Sequence, residues 1–143
     1  MIFNEILQDL IIENGNKSLR YIAREIGIGQ SQLSKFLRGS LPEPKTAIQL
    51  ANYFKCSLDY LFGFSTEFKE LSSPLILDKT GFYPKYYDLL QKHNISHFKL
   101  SQKIDICETS LRLWKRGVLP QTLAIIEIAD YFDCSIDFLL CKK

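Results

Sequence analysis

Six polar side chains crowd into one short stretch of this chain: Gln30, Ser31, Gln32, Ser34, Lys35 and Arg38. They are interleaved with Leu33 and Phe36, so a helix through them would turn the apolar pair inward and the polar set outward. That face offers flexible hydrogen-bond donors and acceptors with two cations. Its chemistry is recognition rather than bond making, although the same residues would also serve as a plain solvated helix surface. Ser18, Arg20 and Arg24 lie just upstream. No bond-making set competes with them: no Ser/His/Asp arrangement, metal-ligand spacing or Gly-rich phosphate loop stands out. His93 and His97 fall near a helix start, where a surface or phosphate-contact role is expected rather than catalysis. The chain reads as non-enzymatic, without a cofactor and without a metal.

The elements that must position this face follow from periodicity. Ile2, Phe3, Ile6, Leu7, Leu10 and Ile11 recur at helical spacing, and Asn14-Gly15-Asn16 ends that helix. Ser18 is placed to cap a second helix with Ile22 and Ile26 inward. Gly27 then breaks it where a positive φ costs glycine nothing. The third helix starts near Gln30 and ends at Gly39. A fourth, after Pro42-Glu43-Pro44, carries Ala47, Ile48, Ala51 and Phe54. Ser57 caps a short fifth, with Asp59 in its first turn favourable to the helix dipole. No segment alternates with period two between hairpin turns, so the expected class is all-α.

The pattern then occurs again. A shift of 78 residues lays Ala51–Leu61 over Ala129–Leu139 and Arg38-Gly39 over Arg116-Gly117, and 16 of 46 positions from Ser18 to Gly63 are identical. Two copies of one five-helix domain account for this economically. In the second copy Tyr83, Tyr86, Tyr87 and Leu90 open the first helix, Ser96 caps the next, and Leu100 and Ile104 face in. Leu111 and Trp114 stand for Leu33 and Phe36. The expected boundaries are 1–64 for the first domain, 65–81 for a partly apolar linker and 82–143 for the second.

The run from Ser18 to Gly27, the run from Gln30 to Gly39, Pro42 and the closing Cys56-Ser57-Leu58-Asp59-Tyr60-Leu61 together resemble the Cro/phage-repressor (XRE) helix-turn-helix family. The resemblance covers nearly all of both copies. It implies two lambda-repressor-like domains, each with its third helix in the major groove of double-stranded DNA and its N-terminal residues on base edges. The residue types agree in the first copy. Gln30 or Gln32 can pair bidentately with adenine, and Lys35 and Arg38 can meet bases or phosphates, with Ser31 and Ser34 beside them. Ser18, Arg20 and Arg24 suit backbone phosphate. In the second copy the corresponding set is Ser96, Lys99, Glu108, Thr109, Ser110, Arg112, Lys115 and Arg116. There Glu108 replaces Gln30 and Leu113 replaces Lys35. Asp105 and Ser101 replace Gly27 and Ala23, and Asp adopts the left-handed conformation less readily than Gly. An alternative reading makes the second copy a protein-interaction or antitoxin-like module that has lost DNA binding.

Bulk properties bound these readings. The 143 residues are 46% hydrophobic and 24% charged, with a net charge of +2. That balance is ordinary for a folded soluble protein and far from a histone-like packaging protein. Any DNA binding must rest on local charge, and specificity on base readout. Apolar runs fall short of the roughly 18 residues a membrane span needs. The start lacks the basic region of a secretory signal, so a cytoplasmic protein is expected. Cys56, Cys107, Cys134 and Cys141 form no C-x-x-C pair and are expected as buried free thiols. Two reading heads need to sit about 34 Å apart, and a linker of roughly 18 residues extends to about 60 Å. The chain could thus be an intrachain pseudo-dimer on an imperfect palindrome, or a homodimer.

Overall fold

The structure, a computed structural model, describes residues 2–142. Among these the chain is all-helical, with no strand and one isolated antiparallel bridge between Leu77 and Cys141. It divides into two compact units, Met1–Leu75 and Ile76–Lys143.

The first unit holds α1 (Phe3–Glu13), α2 (Leu19–Ile26), α3 (Gln30–Leu37), α4 (Pro44–Phe54) and α5 (Leu58–Leu61). Leu7, Leu33, Leu50, Leu58 and Leu61 are fully buried. Each such side chain contributes about 1.5–3 kcal/mol when withdrawn from water. The aromatic rings tie α1 to α3 and to the residue that follows α5. Phe3 of α1 meets Phe36 of α3 edge-on at 6.3 Å between centroids, and Phe62, just after α5, at 5.3 Å. Pro44 occupies the first turn of α4, where its missing N–H has no helical partner to lose.

The second unit holds α6 (Phe82–Lys92), α7 (His97–Ser101), a 3-10 turn (Glu108–Ser110), α8 (Leu111–Lys115), α9 (Thr122–Phe132) and α10 (Ile136–Leu140). The serine caps are equivalent in the two units. Ser18, Ser57, Ser96 and Ser135 accept from the N–H groups of Tyr21, Tyr60, Lys99 and Phe138 at 3.0–3.2 Å. Left-handed residues also recur 78 positions apart: Asn16 and Asn94, Gly39 and Gly117, Lys55 and Asp133.

The segment 65–81 divides between the units. Asn52 brackets Leu75 with two hydrogen bonds, of 2.7 and 3.0 Å, and Leu71 N–H donates to the Lys55 carbonyl. On the other side, Asp78 N–H donates to Leu140 and Lys142 N–H to Ile76.

Several sequence expectations are corrected in the second unit. The first helix, α6, is where the sequence placed it, with Phe82, Tyr86 and Leu90 inward and Tyr87 exposed. Ile104 and Leu111 are half-buried, and Ile106 supplies the buried aliphatic side chain of the turn. Of the four thiols only Cys56 and Cys141 are buried. Cys134 is half-buried and Cys107 is exposed.

Candidate nucleic-acid interface

In the first unit α2 packs on α3, with Ala23 and Leu33 buried at 2% and 0% exposure. The turn between them begins at Gly27, whose φ of +93° is left-handed. The N–H groups of Gly27 and Ile28 both return to the Ala23 carbonyl, at 2.8 and 3.0 Å, which closes the helix at its left-handed glycine. Gly29 then leads into α3, and no side chain caps that helix N-terminus. The far end closes at Gly39, with Ser40 N–H on the Lys35 carbonyl. Asn4 of α1 reaches the Leu37 carbonyl at 3.4 Å. These ties hold α3 as one eight-residue helix on the surface of the unit.

Gln30, Ser31, Gln32, Lys35 and Arg38 are all exposed on or beside α3, as are Ser18, Arg20 and Arg24 at α2. Ser34 is half-buried, and its hydroxyl accepts from the Arg38 guanidinium at 3.4 Å. Ser18 spends its oxygen lone pair on Tyr21 N–H, leaving its own proton free to donate. Between residues 17 and 38 lie five basic side chains and a single carboxylate, Glu25. Positive charge is thus concentrated on this helix pair, while the rest of residues 1–64 is net acidic. Lys17 was not singled out from the sequence. Its ammonium sits 4.6 Å from the Tyr21 ring centroid, and the Tyr21 hydroxyl reaches Glu25 at 3.3 Å. The signal available was the spacing of four from Lys17 to Tyr21 beside a capping serine.

A helix-turn-helix family model matches residues 10–61. The matched span runs from the end of α1 through α5 and contains the whole α2–α3 hairpin. The helix-turn-helix match points to a DNA-binding regulator. It covers the first unit and not the second. No curated protein and no solved structure matches the chain. Among the described residues no helix is long and apolar enough to cross a membrane.

The second unit builds the corresponding region differently from the helix-turn-helix of the first. Here α7 has five residues where α2 has eight, and the polar stretch after it is a 3-10 turn followed by the five-residue α8. Asp105 carries no left-handed strain, because its φ is not positive. Instead the chain turns tightly through Ile104–Ile106, with Ile106 N–H on the Ile104 carbonyl at 3.0 Å. Ser101 bonds back to the Phe98 carbonyl. Ser96, Lys99, Glu108, Thr109, Arg112, Lys115 and Arg116 are exposed, and Ser110 is half-buried. Phe98 and Gln102 stand where the first unit has Arg20 and Arg24. Residues 95–116 still hold five basic side chains against Asp105 and Glu108.

His97 departs most from expectation. It is 6% exposed and lies in the core rather than on the surface. Its Nε2 is 3.0 Å from the Glu108 carbonyl and 3.2 Å from that of Cys107, and its Nδ1 is 2.7 Å from the Tyr86 hydroxyl. The ring stands edge-on to Trp114 at 5.3 Å. His93 stays exposed at the end of α6, against the Phe132 ring. Cys107 opens the 3-10 turn. Hydrogen bonds from Thr109, its side chain first and then its backbone N–H, hold the exposed thiol below its ordinary range.

Proposed function

We propose that the chain is a sequence-specific transcriptional regulator that reads the major groove of double-stranded DNA with α3. The reading takes residues 1–64 and 82–143 as two XRE-type domains joined by 65–81. The observation that carries it is the exposed Gln30, Ser31, Gln32 and Lys35 face on a rigidly tied helix, inside a cluster of cations. Amide and hydroxyl groups at the helix start supply base readout, and Arg20, Arg24, Arg38 and the uncapped N-terminus of α3 suit phosphate. In the second domain Glu108, Thr109, Ser110 and Arg112 would take the base edges, with Ser96, Lys99, Lys115 and Arg116 on phosphate. Two unlike reading heads in one chain make an intrachain pseudo-dimer on an imperfectly symmetric operator.

One observation favours a second reading of residues 82–143. Leu113 is 43% exposed at the position where the first unit has Lys35. An exposed aliphatic side chain in place of a cation suits contact with protein, so the second domain would be an interaction module.

Selection of randomised duplex DNA on the intact protein at near-physiological salt separates the two. A two-part motif, with one part erased by Q30A/K35A and the other by R112A/R116A, is the outcome for two reading heads. A single part, lost only with the first pair, leaves DNA reading to α3 alone. No enriched motif would overturn sequence-specific DNA binding.

A further inference from the structure

The two units differ in what covers the passage from their fourth helix to their fifth. In the first, residues 66–75 run without helix against α4 and α5. Phe68 stands edge-on to Tyr60 at 5.3 Å between centroids, Leu71 N–H donates to the Lys55 carbonyl, and the Asn52 amide brackets Leu75. Asn52 and Lys55 line a cleft of about 180 Å³ with Leu71, Ser72, Ser73 and Pro74. The matching surface of the second unit, 78 positions on, has the same local build. Lys55 and Asp133 are both left-handed, at φ of +56° and +53°, and the pairs Tyr53–Phe54 and Tyr131–Phe132 both cross edge-on at 5.0 Å. Yet that surface is barer. Tyr131 and Phe138 are 40% and 43% exposed where Tyr53 and Tyr60 are half-buried, and Cys134 is half-buried where Cys56 is buried. Asp130 is likewise exposed where Asn52 is half-buried.

From this difference we infer that the bare α9–α10 face docks a non-helical segment of a partner protein, spaced like Phe68, Leu71 and Leu75 in its apolar residues and basic between them. The chain's own segment is the pattern for the occupant, because it fills the matching surface of the first unit. The substitutions on the face set the occupant's charge. Asp130 and Asp133 stand where the first unit has Asn52 and Lys55, and both are exposed. The Asn52 amide donates to Leu75 as well as accepting from it, whereas a carboxylate only accepts, so the occupant must bring the donors. The cation beside the face is already engaged. Lys85 lies 5.3 Å from the Phe138 ring, but its ammonium donates to the Phe138 and Cys141 carbonyls and pairs with Asp78. Lys142 matches Phe64, ahead of the covering segment. Two exposed carboxylates repel a phosphate backbone, which sets nucleic acid aside. A second copy gains nothing, since its own residues 66–75 already lie on α4 and α5, and exchanging them bares one face for each face covered. The face belongs to α9 and α10 rather than α8, so the inference goes beyond both readings of the second unit and rests on neither.

The test titrates the intact chain with a fluorescent peptide of residues 65–75 carrying E67K and E70K. A control peptide also carries F68S and L71S, and so keeps the charge without the apolar anchors. The first peptide should bind and the control should not. On the protein, F138A removes the ring that stands for Tyr60, and D130N/D133K installs the side chains of the first unit. Each should weaken binding about tenfold. Both variants alter exposed positions, and an unchanged thermal melt shows that the fold is kept. No binding, or equal binding of the two peptides, overturns the inference. So does binding that Y60A abolishes and F138A leaves intact, since the peptide has then displaced the chain's own segment from the first unit. An intact-chain dimer that F138A converts to monomer also overturns it, because a second copy then covers the face.

Discussion

The Tyr86 hydroxyl donates to His97 Nδ1 across 2.7 Å inside the second unit. The direction follows from the other side of the ring. Nε2 faces the carbonyls of Cys107 and Glu108, which can only accept, so Nε2 carries the proton and Nδ1 is left as the acceptor. The pair therefore links α6, through His97 of α7, to the start of the 3-10 turn that leads into α8. Without it, the Tyr86 phenol would lose its partner at the ring and the two carbonyls would lose one donor each, although the Cys107 carbonyl also accepts from Ser110 N–H at 3.1 Å.

Cutting this link should cost more in single steps than in one. Tyr86→Phe leaves a buried ring nitrogen unsatisfied, at about 1–3 kcal/mol. His97→Leu, the residue type at the matching position of the first unit, strands the phenol and removes one donor from each carbonyl. The double variant should therefore lose less than the sum of the two. Urea unfolding followed by Trp114 fluorescence reads this directly, because Trp114 is the single tryptophan and packs against both rings.

The same pair gives a pH dependence. Burial, with a smaller push from Tyr83, raises the Tyr86 pKa above its ordinary value near 10. The folded state thus holds the phenolic proton more tightly than the unfolded chain does. Its contribution is complete below pH about 10 and is lost as the pH rises through the folded value. Alkaline unfolding monitored at Trp114 should be shallower in Tyr86→Phe over that range. An unchanged slope would mean the phenol is not held in its neutral form.

Among the four thiols Cys107 should react first. It is exposed, and Thr109 lowers its pKa, so more of it is thiolate near neutrality than of an ordinary cysteine. Brief maleimide treatment at pH 7 followed by peptide mapping should label Cys107, with Cys56 and Cys141 protected by burial. Thr109→Val should slow the labelling. Equal labelling of Cys56 would contradict its burial.

Much of the helical framework was legible in the sequence because it is local. A serine ahead of a periodic apolar run declares a cap, and all four such serines cap. Gly27 declared a helix stop, and Gly27→Ala should cost about 1–2 kcal/mol in thermal melts from backbone strain, since a Cβ there would meet no neighbour within 4 Å. The exposed face of α3 was equally readable from the burial of Leu33 and Phe36. The misreadings all depended on distant partners. His97 looked like a surface residue beside a cap, but its place is set by Tyr86 and by carbonyls ten and eleven residues away. Its match to the apolar Leu19 in the other copy was the available signal. The division of the second polar stretch into a 3-10 turn and α8 was not legible, although Asp105 and Ser101 in place of Gly27 and Ala23 marked a departure there. A five-residue α7 and the tight turn at Ile104–Ile106 set it, and both are tertiary outcomes.

The charge on the α2–α3 pair makes the last prediction quantitative. If α3 reads the groove, contacts to phosphate and to bases respond differently to the same kind of truncation. Arg24→Ala should weaken binding about equally on every sequence and reduce the slope of log K against log salt by about 0.9, one released counterion's share. Gln30→Ala should leave that slope alone and cost about 1–3 kcal/mol on the selected site only, relaxing preference at one base pair. Ser18→Ala should act in two ways. It removes the cap on Tyr21 N–H, at about 1 kcal/mol of stability read in the melt, and it removes an O–H free to donate to phosphate, read in affinity. Titrations of the three variants at several salt concentrations, on matched and mismatched duplexes, distinguish these effects. An Arg24→Ala variant with an unchanged salt slope would remove α2 from the phosphate backbone, and a Gln30→Ala variant that weakens all duplexes alike would remove α3 from the base edges.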